Sequence, residues 1–203
     1  MQNPPSPYIY NKLVQCCKQF FVKNPILIIS VLNYHKEEND DEGVWEFSYG
    51  GEIVNLEALG SKMWFINDIS VVGENPVVLD SKLISSFVIP KTYRSDAREV
   101  SISDQIMSFN EFKLLVSSVK ESMYLRRVTV KHEDGSTVQV EKIIESCTNV
   151  KRINYECDSN YASITSKTFK ELVNIQHFHD LSVLCLKNVP ETFDIDAFIL
   201  YIK

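Results

Sequence analysis

The chain has 203 residues, of which 44% are hydrophobic, 24% charged and 11% aromatic, with a formal charge of −6 and an isoelectric point near 5.3. This balance belongs to one globular domain that can bury its own core, and it excludes a disordered tail, a collagen-like chain or a coiled coil. A net negative chain also lacks the Lys/Arg surplus that neutralises phosphates, so no nucleic-acid partner is expected.

In chain order, Ile9, Leu13, Val14, Cys17, Phe20 and Phe21 recur at helical spacing and predict one amphipathic helix over residues 8–21, stopped before Asn24 and Pro25. The apolar run at residues 25–32 is a buried strand or short helix, well below the roughly 18 to 20 apolar residues of a membrane span, so no membrane association is expected. No signal-peptide pattern precedes it. The acidic run at residues 37–42 reads as a solvated loop or, functionally, as a docking surface for a basic partner. Residues 44–49 alternate like a half-buried strand, Gly50 and Gly51 suit a hairpin turn, and Glu52, Ile53 and Val54 return beside it. Trp45 and Trp64 read as packing residues.

Glycine is scarce, 6 in all, and Gly43, Gly50, Gly51, Gly60 and Gly73 fall in the first 73 residues. Phosphate-binding loops need several glycines close together, because backbone amides must approach the anion with no Cβ in the way. Dinucleotide and nucleotide cofactors are therefore not expected, and no other cofactor is implied. Beyond Gly73 the turns are rich in Asn, Asp, Ser and Pro, so little special backbone geometry is expected there.

From Ile66 onward one template recurs, apolar-x-x-apolar-x-apolar. It is carried by Ile66, Ile69 and Val71; Ala97, Val100 and Ile102; Leu125, Val128 and Val130; Val150, Ile153 and Tyr155; and Leu181, Leu184 and Leu186. The starts lie 31, 28, 25 and 31 residues apart, near the length of a strand, turn and helix in leucine-rich repeats. A helix can follow each of the later segments. Ser108 and Glu111 form a capping box ahead of Phe112, Leu115, Val116 and Val119. Val140, Ile143, Ile144 and Cys147 share one helical face, Thr168 starts a helix with Phe169, Leu172 and Val173, and Asp194 caps one with Ile195, Phe198, Ile199 and Ile202 inward.

The fold class this predicts is α/β, an irregular leucine-rich-repeat-like solenoid of β-α units from residue 66 to 203, with residues 1–65 as a helix and β-hairpin cap or a diverged F-box-like region. The rival is a doubly wound α/β sheet. The asparagine common three residues beyond such a strand is replaced by Glu133, Asp158 and Val189, so its ladder of hydrogen bonds is not expected.

Five cysteines, Cys16, Cys17, Cys147, Cys157 and Cys185, lack CxxC spacing and predict a reducing cytoplasmic or nuclear setting, with most of the thiols buried. His177 and His179 beside Asp180 could ligate zinc if a third ligand converged, but they suit better a solvated loop in which Phe178 packs inward. No nucleophile motif is present, so a non-enzymatic protein is expected, with a small thiol hydrolase or metal-binding protein as the remote alternative. Residues alternating with the buried strand positions would line one face: Ser70, Ser101, Thr129, Asn154 and Cys185, with Arg126, Arg127, Lys151 and Arg152 at the strand entrances. Small polar residues flanked by bases form a candidate surface for an extended or acidic protein segment, or are small simply because adjacent strands crowd them.

Within residues 98–203, the phrases at residues 149–155, 164–172, 177–181 and 189–198 resemble the nematode F-box-associated proteins with an FTH-type domain. The resemblance implies a leucine-rich-repeat-like domain that recruits substrates to a cullin-type ubiquitin ligase. An F-box would open with Leu-Pro and closely spaced leucines over three helices, and the helix at residues 8–21 supplies at most one of these features. A free-standing binding module with no ligase link is thus the second expectation.

Overall fold

The computed structural model describes residues 4, 6–23, 25–36, 43–47, 52–73, 79–158 and 163–201. Helix α1 (Pro7–Cys16) starts where the Ser6 hydroxyl accepts the Ile9 N–H at 3.2 Å, with Pro already in its first turn. The single helix expected over residues 8–21 is broken: Cys17 is extended, at φ −150° and ψ 102°, and α2 (Gln19–Lys23) resumes beyond it.

The chain then enters a sheet. Strand β1 (Ile26–His35) pairs antiparallel with β2 (Val44–Phe47), which pairs antiparallel with β3 (Glu52–Val54). The hairpin is as expected, although its Gly50–Gly51 turn and the acidic run 37–42 lie outside the described residues. Strand β4 (Lys62–Val71) returns parallel to β1. The domain boundary expected near Ile66 therefore falls inside a strand, and one core cluster from Ile29 to Phe193 spans both sides of it. Among the described residues, 1–65 form no three-helix unit.

Beyond β4 come a π-helical turn (Ile84–Val88), a 3-10 turn (Ile89–Lys91), β5 (Thr92–Ser95), β6 (Glu99–Ser103), β7 (Ile106–Ser108) and α3 (Phe109–Val116). They are followed by β8 (Ser122–Arg126), β9 (Thr129–Lys131), α4 (Val140–Glu145), β10 (Arg152–Glu156), α5 (Thr168–Leu172), a 3-10 turn (Gln176–Asp180), β11 (Val183–Lys187) and α6 (Ile195–Tyr201). The main sheet runs β3-β2-β1-β4-β6-β8-β10-β11, with β5 also on β4, and β7 and β9 make a separate parallel pair. The protein is thus mixed α/β with a mostly parallel central sheet. From β1 to β11 the parallel strands follow chain order without reversal, so the switch point of a doubly wound sheet is not present among the described strands.

Register explains the core. Ile69, Val100, Met123, Ile153 and Leu184 stand side by side across five strands, and Val71, Ile102, Leu125, Tyr155 and Leu186 form the next row. Because strand side chains alternate, both rows share one face, where Phe112, Leu115 and Val116 of α3, Ile143 and Ile144 of α4 and Leu172 of α5 cover them. The capping box is formed: Ser108 Oγ accepts the Glu111 N–H, and Glu111 accepts the Ser108 N–H at 2.7 Å. At the other end, Asp194 accepts the Ala197 N–H; of the residues expected inward Phe198 packs on the core, Ile195 and Ile199 are exposed, and Ile202 lies outside the described residues.

The third template was misplaced. Met123 and Leu125, not Val128 and Val130, occupy the core rows, which puts the units 31, 23, 30 and 31 residues apart. Val128 and Val130 instead belong to the turn and to β9, and Glu133 lies in an exposed loop far from any ladder position. In the true register, the position three beyond Ile102 is Gln105. This residue is fully buried; its Oε1 accepts the Ile84 N–H at 3.0 Å and its Nε2 donates to the Asp80 carbonyl at 2.7 Å. One buried amide thus ties this strand exit to two backbone groups of the preceding segment. Replacing Gln105 with Leu removes the side-chain acceptor of the Ile84 N–H and leaves the Asp80 carbonyl with only the Leu83 N–H at 3.5 Å, so we expect a loss of about 1–3 kcal/mol in urea unfolding, against a negligible change for Leu200→Ala on exposed α6.

The scarcity of glycine also has a structural counterpart. Left-handed backbone is needed two residues beyond the second core row at Asp104 (φ 60°), Arg127 (φ 53°) and Asn188 (φ 53°), so special geometry persists beyond Gly73. Asp and Asn tolerate it through their short polar side chains. Arg127 is the costly case, and it is clamped: its Nε and Nη2 donate to Asp104 Oδ1 and Oδ2 at 2.6 and 3.0 Å.

Candidate functional site

Side chains opposite the core rows point to the other face of the sheet. Over β1 and the start of β4 that face is covered by α1, where Tyr10 meets Ile26 and Trp64, with Val14, Ile28 and Ile66 around them. Farther along, three polar rows remain. At the strand starts they are Asp68, Glu99, Ser122, Arg152 and Val183; in the middle Ser70, Ser101, Tyr124, Asn154 and Cys185; and at the strand ends Ser103, Arg126, Glu156 and Lys187. Parallel sheets are usually covered on both faces; here, among the described residues, the first two polar rows keep partial exposure while Ser103 of the third is buried, and this polar face is the distinguishing feature of the sheet.

The candidates read from sequence separate here. Ser101, Asn154 and Cys185 stand in one row, together with Ser70. Thr129 does not join them: it lies on β9, where its hydroxyl donates to Asp158 Oδ2 at 3.2 Å, and Tyr124 holds the position expected for it. A five-position register difference at β8 hid this tyrosine, and the alternation of Met123 with Leu125 is the signal that could have found it. Arg127 is turned to Asp104 and Arg126 Nη2 donates to the Gly73 carbonyl at 2.6 Å, so both fasten strand ends. Beside Arg126, the fully buried Ser103 hydroxyl has no hydrogen-bond partner among the described residues. Lys151 and Arg152 are exposed, with Arg152 in the first polar row.

The acidic end of that row is crowded. Ser122 donates to Glu99 Oε2 at 2.8 Å, and Arg98 pairs with Glu121 at the strand entrance. Burial, then the carboxylates of Glu99 and Glu121, raise the Asp68 carboxyl above its usual value, opposed by Arg98.

His177 Nε2 lies 2.9 Å from the Ile144 carbonyl and His179 Nδ1 lies 2.7 Å from the Tyr201 hydroxyl, so the two rings serve different contacts, with Phe178 buried between them as expected. Among the described residues no cluster of three or more His, Cys, Asp or Glu side chains is arranged to hold a metal. The thiols are less buried than expected: Cys16 and Cys17 are exposed, Cys185 is half-buried, and only Cys147 and Cys157 are buried. Among the described residues no helix is long and apolar enough to cross a membrane. No protein-family model, curated protein or solved structure matches the chain.

Two outcomes are expected. Burial pushes Cys147 up to about 12 and Cys157 up to about 11, so an aromatic disulfide reagent at neutral pH labels Cys16, Cys17 and Cys185 in the native protein and reaches the other two only after unfolding. For Asp68, the raised carboxyl makes its ionised form a cost to the fold. Asp68→Asn should therefore stabilise the protein at pH 7 by less than about 1 kcal/mol after solvent screening. The gain should shrink as pH falls through the raised value and vanish below the ordinary 3.8; thermal melts across pH measure it, and a constant difference refutes the assignment.

Proposed function

We propose that this chain is a non-enzymatic protein-interaction domain that binds a client segment on the open face of its parallel sheet. The observation that carries the reading is the one-sided burial: apolar rows on one face, and on the other the polar rows containing Ser101, Tyr124, Asn154 and Cys185. Tyr124 gives that face an aromatic anchor with a polar tip, the kind of side chain that dominates interface energies.

The architecture is proposed to be an irregular leucine-rich-repeat-like solenoid. Support comes from the unreversed strand order, from the recurring left-handed exits at Asp104, Arg127 and Asn188, and from the Gln105 amide bonded to the preceding turn. The resemblance to F-box-associated proteins makes client recruitment to a cullin-type ubiquitin ligase, in cytoplasm or nucleus, the working role. Strands β1, β2 and β3 are built into the sheet where an F-box would need a separate helical unit, which favours reading residues 1–65 as part of the recognition module.

A paired experiment tests this. Proximity labelling and affinity purification with the full chain should return a client whose retention falls at least about tenfold for Tyr124→Ala or Asn154→Arg, and is unchanged for Lys170→Ala on the helical side. Equal retention by every variant would remove the open face from function. Return of ubiquitin-ligase subunits decides between the recruitment role and the free-standing module.

A further inference from the structure

The first polar row carries opposite charges that the fold leaves unpaired. Asp68 and Glu99 are neighbours on β4 and β6, and Arg152 is in register with them on β10, with only Ser122 between. Among the described residues none of these three makes an ion pair, and neither does Lys151 beside Arg152. The nearest cation to the acidic end, Arg98, is held by Glu121. Parallel strands are about 4.8 Å apart, so Asp68 and Arg152, three strands apart, are separated by about 14 Å. They are too distant to pair with each other at physiological ionic strength, where screening sets in within about 8 Å.

Resting on the interaction reading above, we propose that the occupant of this row is an extended segment of mixed charge, with a Lys or Arg seated over Asp68 and Glu99 and an Asp or Glu four residues away seated over Arg152 and Lys151. The spacing follows from strand geometry. An extended chain advances about 3.3 Å per residue and points every second side chain the same way, so residues four apart share a face and lie about 13 Å apart. Residues three apart point to opposite faces and cannot satisfy both ends. The side chain midway between them meets Ser122 and the Tyr124 row. Burial first, then the carboxylates of Glu99 and Glu121, raise the Asp68 carboxyl against the opposing Arg98, and a further cation seated there would relieve the second contribution. The occupant differs from the acidic segment that the basic residues alone suggest: it must present both signs.

Fluorescein-labelled Thr/Val peptides of about nine residues test this by polarisation against the full chain: one with Lys and Asp four apart, one with the same pair three apart, one with two Lys and one with two Asp. The mixed peptide at spacing four should bind about tenfold tighter than the other three at low salt, with the preference fading at high salt. Asp68→Asn combined with Glu99→Lys should transfer the preference to the peptide with two Asp, and Lys151→Ser combined with Arg152→Glu to the peptide with two Lys. Such a gain of a new specificity also shows that the variants fold. No measurable binding of the mixed peptide at millimolar concentration overturns the proposal, as does a preference that ignores both charge reversals. If binding is indifferent to charge yet weakened by Tyr124→Ala, the open face remains an interaction surface and only the charge register fails. If no peptide responds to any open-face substitution while clients are retained by all variants, both fall.

Discussion

The lateral stacking of apolar side chains across parallel strands is the interaction on which the rest of this protein depends. Ile69, Val100, Met123, Ile153 and Leu184 stack side by side in one row, and Val71, Ile102, Leu125, Tyr155 and Leu186 in the next, with the β11 leucines closing each row at the sheet edge. Because strand side chains have a period of two, fixing one such row fixes every other side chain of the sheet. The helices then have one place to go, since only one face offers apolar surface to α3, α4 and α5. The same constraint fixes which side chains face the other way, apolar ones under α1 over β1 and the start of β4 and polar ones from there to β11, so the feature read as functional is set by the register that makes the core.

Strand exits are the second constraint, and they are met with side chains in place of glycine. Each exit must turn the chain off the sheet toward the helical layer, and three of them do so through left-handed residues. Asp104 and Arg127 leave adjacent strands and bind each other bidentately, so the unfavourable backbone of the arginine is held by the carboxylate of the preceding exit. Gln105 then locks the same turn to the segment before it. The dibasic Arg126 and Arg127, which as sequence look like part of a binding patch, are consumed in this work.

The candidate site was legible in proportion to how strictly its residues follow the strand period. Ser101, Asn154 and Cys185 could be named because each is flanked by core residues two apart. Tyr124 was missed because two apolar pairs compete in that stretch, Met123 with Leu125 and Val128 with Val130, and all four are buried. Burial alone does not choose between them; the parallel neighbours Val100 and Ile153 do, by demanding a partner at Met123. The opposite charges of Asp68, Glu99 and Arg152 are unremarkable along the chain, where they are far apart, and become a pattern only when three strands place them in one row.

Local periodicity and capping chemistry determined much from sequence: the hairpin strands, the capping box at Ser108, the apolar face of α4, the start of α5, and four of the five core pairs. These depend on neighbours within a few residues, whose preferences the sequence states directly. Tertiary structure decided what depends on distant partners. It chose the register of β8, merged residues 1–65 into the sheet through β1 and β4, broke the first helix at Cys17, and put Arg127 on Asp104. The physical reason is that a local pattern says which side chains must be buried, whereas the partner that buries them is selected by lateral contacts between strands 23 to 31 residues apart.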